Sequence, residues 1–438
     1  MANVVKFYQI HGKGADIDIG SREIFVSVDG SSAVSFRTYT SDYESCCQYL
    51  LANDIIEVAM EATGVYWFSL YTMLEDHGIR TCLVTPREVQ QVRGRKTDVR
   101  DCQWIQQLFS AGLLRESIIP EGLLKELRFL VRERLDYIRT SSVFVNKMQR
   151  SLELMNIKLA NVIDQIQGAS GLKVIRAILG GERDAEALLS LCHASIRRNK
   201  GEDVKKTLEG NYNPTYLKML QSSMDMWESF QLQIRKMEEE IEQLLDRINE
   251  DTSCIEVTSK SRPTRHHQPA IKDLHRKMVQ LYGGVDLTSI AGINDVTLMR
   301  LFAETGKDLG RFPTVKHFVS RLGLAPAHKQ SGRMKRRIKG ASSNVAGQIF
   351  RLSAQSLMGS RKNSIGEFIR RIASKKGSRI AIKAGARKIA QAYYFALTKG
   401  VEYVELGVQK YKEMQKQKEI SVLKKLAKRY QYDILASN

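Results

Sequence analysis

The chain has 438 residues and a formal net charge of +20, from 68 Lys and Arg against 48 Asp and Glu. This length exceeds one ordinary domain and predicts two or three. A hydrophobic content of 43% with only seven prolines excludes a disordered chain. No apolar run approaches the ~18 residues of a membrane span, and the first ten residues lack the pattern of a signal peptide. We therefore expect a cytoplasmic protein without a membrane partner, with its six cysteines reduced.

The basic surplus is concentrated near the C-terminus. Residues 1–120 carry 11 basic and 15 acidic side chains, residues 121–320 carry 30 and 27, and residues 321–438 carry 27 and 6. Such an asymmetry predicts a polyanionic partner for the last quarter, because Lys and Arg displace counterions from phosphates. A basic tail that only increases solubility is the alternative.

The first domain, residues 1–120, alternates strand and helix patterns. Strands are predicted at 15–20, 22–28, 33–39, 55–60 and 80–85. Helices are predicted at 42–51, 68–77 and 98–109, the second of them ending at Gly78. Strands followed by strand–helix alternation indicate an α/β sheet.

The second domain, residues 121–285, is predicted to be helical. Two long amphipathic stretches, 123–160 and 214–248, bracket about fifty residues. They indicate a helical hairpin or coiled coil with a small helical insertion, and the pattern fits a dimer arm as well as an intramolecular bundle. The polar segment 252–270 has no periodicity and predicts a linker.

The third domain, residues 286–438, begins with two predicted helices broken at Gly292-Ile293-Asn294, a helix–hairpin–helix pattern. Such a turn directs backbone N–H groups at a phosphate without reading bases, so Gly292 and Asn294 are candidate nucleic-acid contacts. A Gly-rich basic loop over 323–340 and several short basic helices are predicted to follow.

Four acidic residues of the first domain form a candidate metal site. Asp18 lies in the first strand and Glu61 at the end of the central strand, while Asp98 and Asp101 share one helical face. Converging carboxylates repel one another unless cations neutralise them, and their hard oxygens suit Mg²⁺ or Mn²⁺. Two such ions about 4 Å apart can hold a scissile phosphate. Each acid alone is better explained as a structural residue, so the prediction rests on the set.

Basic residues directly precede Asp98 in the chain. Cations beside carboxylates are unusual in a structural sheet, but they suit a site where phosphate meets metal. The candidate nucleic-acid contacts here are Arg93, Arg95 and Lys96.

Ser331 is a candidate nucleophile in the last domain. Five basic residues follow it within eight positions, namely Arg333, Lys335, Arg336, Arg337 and Lys339. A serine hydroxyl needs a base or cation to become nucleophilic, and guanidinium groups can stabilise the charge of a phosphorane. The five basic residues are candidate nucleic-acid contacts, and an ordinary Ser-Gly turn is the alternative.

The chain resembles the DEDD-type insertion-sequence transposases, which include the Piv DNA invertase and the bridge-RNA-guided recombinases. In the first domain the resemblance rests on DIDIGSREIFVSV, MEATGVYWFSLYTMLEDHGIRTCLVTP and GRKTDVRDCQWIQQLFSAGLL. In the last domain it rests on SIAGINDVTLMRLFAETGKDLGRF and RLGLAPAHKQSGR. The order of these strings makes the signature specific.

The resemblance implies an RNase H-like (RuvC-like) domain whose four acids fall on Asp18, Glu61, Asp98 and Asp101 and bind Mg²⁺. It also implies a coiled-coil middle and a C-terminal transposase domain in which Ser331 forms a phosphoserine intermediate with DNA. A bridge RNA would pair with donor and target DNA and supply the sequence choice. A homo-oligomer, dimer or tetramer, with a composite active site is implied as well, in a bacterial or archaeal cell and associated with the nucleoid.

Departures and alternatives accompany this resemblance. The segment IKGASSNVAGQIFRLSAQ lacks the usual Gly-Asn followed by Leu-Arg, and the family pattern does not extend to residues 168–213, 252–275 and the tail after 400. Two other functions fit the residues. One is a metal-dependent junction-resolving or nicking nuclease that uses activated water, and the other is a non-catalytic nucleic-acid-binding protein.

Overall fold

A computed structural model gives the fold of the chain. It describes residues 14–28, 33–61, 64–84, 109, 119, 122–250, 255–259, 267–326, 328–331, 334–337, 343–360 and 363–432. The chain divides into two compact units, Met1–Ile118 and Ile119–Asn438. A further division at residue 285 remains a prediction.

The first unit contains a five-stranded sheet and two described helices. The strands are β1 (Gly14–Ile19), β2 (Glu23–Ser27), β3 (Val34–Arg37), β4 (Glu57–Glu61) and β5 (Arg80–Val84), and the helices are α1 (Thr40–Ala52) and α2 (Trp67–Asp76). The order across the sheet is β3-β2-β1-β4-β5. β1, β2 and β3 are antiparallel neighbours, whereas β4 runs parallel to β1 and β5 parallel to β4. The predicted mixed α/β sheet is therefore confirmed.

The burial of the strands matches their positions in the sheet. The central strands β1 and β4 supply fully buried residues such as Ile17 and Met60, whereas β3 is largely exposed, as an edge strand is. Gly78 has a φ of +73° and follows the last turn of α2, as its position in the sequence predicts. The helix predicted over 98–109 lies outside the described residues except for the buried Phe109.

The second unit begins with a helical hairpin. Helices α3 (Leu123–Leu154), α4 (Ala169–Leu179), α5 (Ala185–Ser190), α6 (Ala194–Thr207) and α7 (Pro214–Glu250) follow in order, with a 3-10 turn at Leu159–Asn161. α3 and α7 pack along each other, and Phe144 stacks on Phe230 at 5.6 Å between ring centroids. α3 ends before the predicted residue 160, because Asn156 has a left-handed φ of +61°.

The insertion between α3 and α7 has a hydrophobic core of its own. Buried side chains from α4, α5 and α6, among them Ile175, Leu188 and Val204, pack against the adjoining ends of α3 and α7, where Met224 of α7 is buried. Gly171 is required in α4, because an added Cβ would lie 2.2 Å from the carbonyl oxygen of Ile166. The insertion is therefore an ordered part of the helical unit.

The remaining elements are mainly helical. They are α8 (Leu274–Leu281), a 3-10 turn (Leu287–Ser289), α9 (Asp295–Thr305), α10 (Val315–Arg321), β6 (His328–Ser331), β7 (Met334–Arg337), α11 (Val345–Met358), α12 (Ser364–Lys376), α13 (Ser378–Lys399) and α14 (Val401–Tyr430). Their core includes Phe318, Phe350 and Tyr393. None of the described helices is long and apolar enough to cross a membrane.

Three predictions for this region are wrong in part. The first helix of the predicted pair is only the 3-10 turn, since the chain turns again at Gly292, where φ is +87°. The predicted basic loop contains the β6–β7 hairpin, whose residues lack the apolar alternation that marks a half-buried strand. The last helices are not short, because α13 has 22 residues and α14 has 30.

Candidate functional site

The strand register brings two of the four predicted acids together. Ile17 of β1 pairs with Met60 of the parallel strand β4. Continuing this register by one residue places Asp18 beside Glu61, on adjacent strands that are about 4.8 Å apart. Both residues are half-buried, so their carboxylates are accessible to solvent. Their backbones are fixed by the sheet.

The turn after β1 fixes the backbone next to Asp18. The Gly20 N–H donates to the carbonyl oxygen of Glu23 at 3.0 Å, and an added Cβ at Gly20 would lie 2.7 Å from that oxygen. A side chain at this position would therefore displace the β1–β2 turn. The turn therefore requires the glycine of the IDIGS sequence, which lies two residues after Asp18.

Asp16 is a further acid that the sequence reasoning did not single out. It is fully buried in β1, two residues before Asp18 and so on the same face of the sheet. Its register partner in β2 is Ser27, which is also fully buried. The alternation Ala-Asp-Ile-Asp-Ile could have indicated this second carboxylate, because both aspartates have the same strand parity.

The other predicted residues around the acids lie outside the described residues. These are Asp98, Asp101, Arg93, Arg95 and Lys96. Within the described part of the chain, no group of three or more His, Cys, Asp or Glu residues is placed to hold a metal ion. Asp18 and Glu61 supply two carboxylates on neighbouring strands, a donor set that suits a hard divalent cation.

Ser331 is the last residue of β6 and pairs with Met334 of β7. The same register pairs Lys329 with Arg336 and His328 with Arg337. Because residues alternate between the two faces of a strand, positions 331 and 336 belong to one face of the hairpin. Lys335 also lies in β7, whereas Arg333 and Lys339 lie outside the described residues.

Gly292 and Asn294 have structural partners. An added Cβ at Gly292 would lie 3.1 Å from the side chain of Leu357 on α11, so the turn packs closely against that helix. The Asn294 side chain caps α9 by accepting from the Thr297 N–H at 2.8 Å. Assignment of these two residues to nucleic-acid binding remains a prediction.

Two family models match the sequence. Residues 16–157 match the DEDD transposase model of the IS110 type, described as "Transposase", and residues 286–370 match the model described as "Transposase IS116/IS110/IS902 family". Together the matched segments cover just over half of the chain. The chain belongs to the IS110-type DEDD transposases. No curated protein matches it.

Membership in this transposase family establishes the general activity. The transposase binds DNA, and it cleaves and rejoins DNA strands during the transposition of an insertion sequence. The first matched segment contains Asp18, Glu61, Asp98 and Asp101, and the second contains Ser331. The DEDD domain points to dependence on a divalent metal ion.

A buried polar network of the transposase was also missed by sequence reasoning. The Ser259 hydroxyl lies 2.9 Å from His275 Nε2, and His275 Nδ1 lies 2.7 Å from Asp295 Oδ1. Burial raises the pKa of Asp286, but hydrogen bonds from Thr288 and Ser259 and the charge of His275 together lower it. The network joins segment 255–259 to α8 and α9.

Proposed function

We propose that the transposase exchanges DNA strands through a covalent phosphoserine at Ser331 and a divalent-metal site built on Asp18, Glu61, Asp98 and Asp101. The observation that carries the proposal is the β1–β4 register, because it brings two acids that are 43 residues apart onto adjacent strands. The matched transposase segments contain all five residues. Mg²⁺ is the proposed ion, with Mn²⁺ as a substitute.

The topology of the first unit supports an RNase H-like fold. Three antiparallel strands, β1 to β3, continue into two strands parallel to β1, in the order β3-β2-β1-β4-β5. This arrangement places an acid of the central strand beside an acid at the end of β4, which is where a metal-binding acid pair is expected in such a fold. A bound divalent ion would stabilise the negative charge that develops on the phosphate.

The proposed chemistry at Ser331 balances without a further reactant. The serine oxygen forms a bond to phosphorus while the bond from phosphorus to one deoxyribose oxygen breaks, and that oxygen gains a proton. In the second step a deoxyribose hydroxyl of the other strand attacks the phosphoserine and releases the serine. Phosphodiester bonds are conserved, so rejoining needs no nucleotide cofactor.

The hairpin register supports a role for Arg336 at the transferred phosphate, because positions 331 and 336 belong to one face. Lys335 and Arg337 occupy positions of the opposite face, and we assign them to nucleic-acid binding from the sequence alone. Guanidinium groups bind phosphate oxygens in a bidentate manner and can stabilise the charge of a pentacoordinate phosphorane. We assign Arg333 and Lys339 to the same task from their positions in the sequence.

Guide RNA and oligomerisation complete the proposal. The net charge of +21 over residues 321–438 supports binding of more nucleic acid than a short DNA site, because each phosphate contact uses one cation. We infer that a bridge RNA base-pairs with donor and target DNA and that the protein acts as a homo-oligomer. The protein itself then needs mainly backbone and shape contacts.

Denaturing gels of labelled DNA test the proposal. RNA recovered with the purified protein is sequenced, and DNA carrying the complementary segments is the substrate. The wild type with Mg²⁺ is expected to give a protein-linked DNA band, and Ser331→Ala is expected to lose it. Ser421→Ala is the matched control, because Ser421 is exposed on α14.

The same gel distinguishes the alternatives. If Ser331→Ala still cleaves DNA and no product is ever protein-linked, the enzyme is a nuclease that uses metal-activated water. If no strand is cleaved by any variant with any divalent ion, a binding protein without catalysis is the better account.

A further inference from the structure

An arginine-rich contact joins the helical hairpin to α9. Arg128, Arg132 and Arg139 are spaced by four and seven residues along α3 and so lie on one face of that helix. On α9, Arg300 and Glu304 are four residues apart, and α9 packs on α3. We call these five residues the α3–α9 arginine cluster.

Two of the arginines contact the carboxylate oxygens of Glu304. Its two carboxylate oxygens accept from Arg132 Nε at 2.7 Å and from Arg132 Nη2 at 2.8 Å. Arg128 Nε lies 3.3 Å from the second of these oxygens. Because Glu304 is only 7% exposed, this carboxylate has little surface left for another cation.

The cluster contains four arginines and one carboxylate, that of Glu304. Arg139 pairs with Asp136 at 3.6 Å, but both side chains are about 70% exposed, so the pair is weak. Arg300 is half-buried, and none of the described residues makes a hydrogen bond or ion pair with its guanidinium. Arg311 lies close enough to Arg128 to add to the repulsion.

Burial and neighbouring positive charges disfavour the charged forms of two arginines of the cluster. Burial lowers the pKa of Arg300, and the positive charge of Arg139 lowers it further. The charge of Glu304 only partly offsets these effects, and Arg134 adds to the lowering. Burial also lowers the pKa of Arg128. The charge of Glu304 opposes this effect, whereas the charges of Arg132 and Arg311 add to it. Partly buried like charges are stabilised when an anion binds among them, since the interior screens charges less than water does.

We propose that the α3–α9 arginine cluster is a binding site for a phosphodiester of the nucleic-acid backbone, with Arg300 and Arg139 as the residues that reach the phosphate. Guanidinium suits this ligand, because its planar fork matches two phosphate oxygens. Such a contact positions the backbone and is independent of base sequence. The site lies outside the β6–β7 hairpin and does not depend on Ser331 being a nucleophile, but it does rest on the nucleic-acid binding of a transposase.

Binding measurements with single variants test this site. Arg300→Gln and Arg139→Gln are compared with Arg235→Gln, which removes the same charge from an exposed position of α7. The probes are a fluorescein-labelled DNA duplex and a single-stranded RNA of equal length, read by anisotropy between about 50 and 200 mM KCl. The two cluster variants are expected to bind at least one probe roughly five-fold more weakly and to lower the salt slope by about 0.7 to 0.9.

The pattern of weakening identifies the occupant. Weaker binding of the duplex alone assigns the site to DNA, weaker binding of the RNA alone assigns it to RNA, and weakening of both assigns it to either backbone. All three results support a phosphodiester site. Strand cleavage is not part of the readout, so failure of the Ser331 proposal would leave these results unchanged.

Thermal unfolding separates binding from folding. Without nucleic acid, Arg300→Gln is expected to unfold at the same or a higher temperature than the wild type, because repulsion is relieved. With the duplex or the RNA present, the unfolding temperature of the wild type is expected to rise more than that of Arg300→Gln. Equal binding of both probes by all variants, or an effect of Arg235→Gln as large as that of Arg300→Gln, would overturn the proposal. So would weaker binding by Arg300→Gln that comes with a lower unfolding temperature and no effect of Arg139→Gln.

Discussion

The substitution Glu238→Leu is expected to destabilise the helical unit strongly, because Glu238 is the buried anchor between α3 and α7. Arg134 Nε donates to Glu238 Oε1 at 2.7 Å, and the two side chains are only 5% and 6% exposed. The other carboxylate oxygen accepts from the Ala270 N–H at 2.9 Å. Arg134 also donates to the carbonyl oxygen of His267 at 3.0 Å. One carboxylate therefore holds two long helices and segment 267–270 together.

The magnitude follows from what the substitution leaves behind. Removing the carboxylate leaves the Arg134 guanidinium buried with one carbonyl acceptor, and it leaves the Ala270 N–H without its acceptor. An uncompensated buried charge of this kind costs about 3 to 5 kcal/mol in free energy of unfolding. The double variant Arg134→Met/Glu238→Leu removes both charges, so it is expected to lose only about 1 to 2 kcal/mol, mostly from the unpaired backbone groups.

Urea unfolding followed by far-UV circular dichroism measures these energies, since most of the described helices belong to the second unit. Both single variants and the double variant complete a thermodynamic cycle with the wild type. The exposed pair of Arg139 and Asp136 gives a control, and Asp136→Ala is expected to lose less than about 1 kcal/mol. Glu238 and Arg134 do not form a stabilising buried pair if Glu238→Leu costs less than about 1 kcal/mol, or if the losses of the two single variants simply add.

Three further predictions concern a pH effect, a steric limit and the metal site. The pKa of Asp286 is lowered in the fold, so its contribution to stability is present above its unfolded pKa of about 3.9 and is lost as the pH falls through the folded value. Asp286→Asn should therefore lower the urea midpoint at neutral pH and approach the wild type in acid. Gly347→Ala should lose more than about 2 kcal/mol, because its Cβ would lie 2.1 Å from a backbone oxygen, whereas Gly359→Ala meets no atom within 4 Å and should change little. Asp18→Asn should reduce Mg²⁺-dependent DNA cleavage at least about 100-fold. Asp54→Asn, at an exposed left-handed position of the same unit, should not reduce cleavage.

Each of these predictions has a distinct contrary result. A constant difference in midpoint between Asp286→Asn and wild type from neutral pH into acid would show that Asp286 acts without its charge. Equal stability of Gly347→Ala and Gly359→Ala would mean that α11 shifts freely to accept a methyl group. Cleavage by Asp18→Asn at the wild-type rate would remove this residue from the metal site.

Periodic hydrophobicity made much of the fold predictable. The strands of the first unit were predicted to within two residues at each end, because their buried residues alternate or form short apolar runs. The helices α3 and α7 were predicted from their amphipathic stripes, and the break after α3 was missed, because a left-handed Asn156 gives no hydrophobic signal. The β6–β7 hairpin was missed for a related reason, since a run such as Met-Lys-Arg-Arg has no apolar face.

The sequence indicates candidate residues for the site, but it does not give their geometry. Sequence placed Asp18 and Glu61 in strands, but only the parallel register shows that these strands are neighbours. The network around His275 depends on contacts between distant segments, which no local pattern encodes, whereas the alternation in β1 could have indicated Asp16. The arginines of the α3–α9 arginine cluster look like ordinary exposed helix residues in sequence, and their excess charge becomes evident only when α9 packs on α3.

Mass spectrometry of the protein–DNA adduct identifies the residue that is linked to the DNA. The wild type is incubated with Mg²⁺ and DNA that carries the segments complementary to its co-purified RNA, the DNA is trimmed with nuclease, and the protein is digested with trypsin. A nucleotide-bearing phosphoserine is expected at Ser331, in the peptide that ends at Arg333. Cleaved DNA without an adduct, or an adduct on any other residue, would show that Ser331 is not the nucleophile.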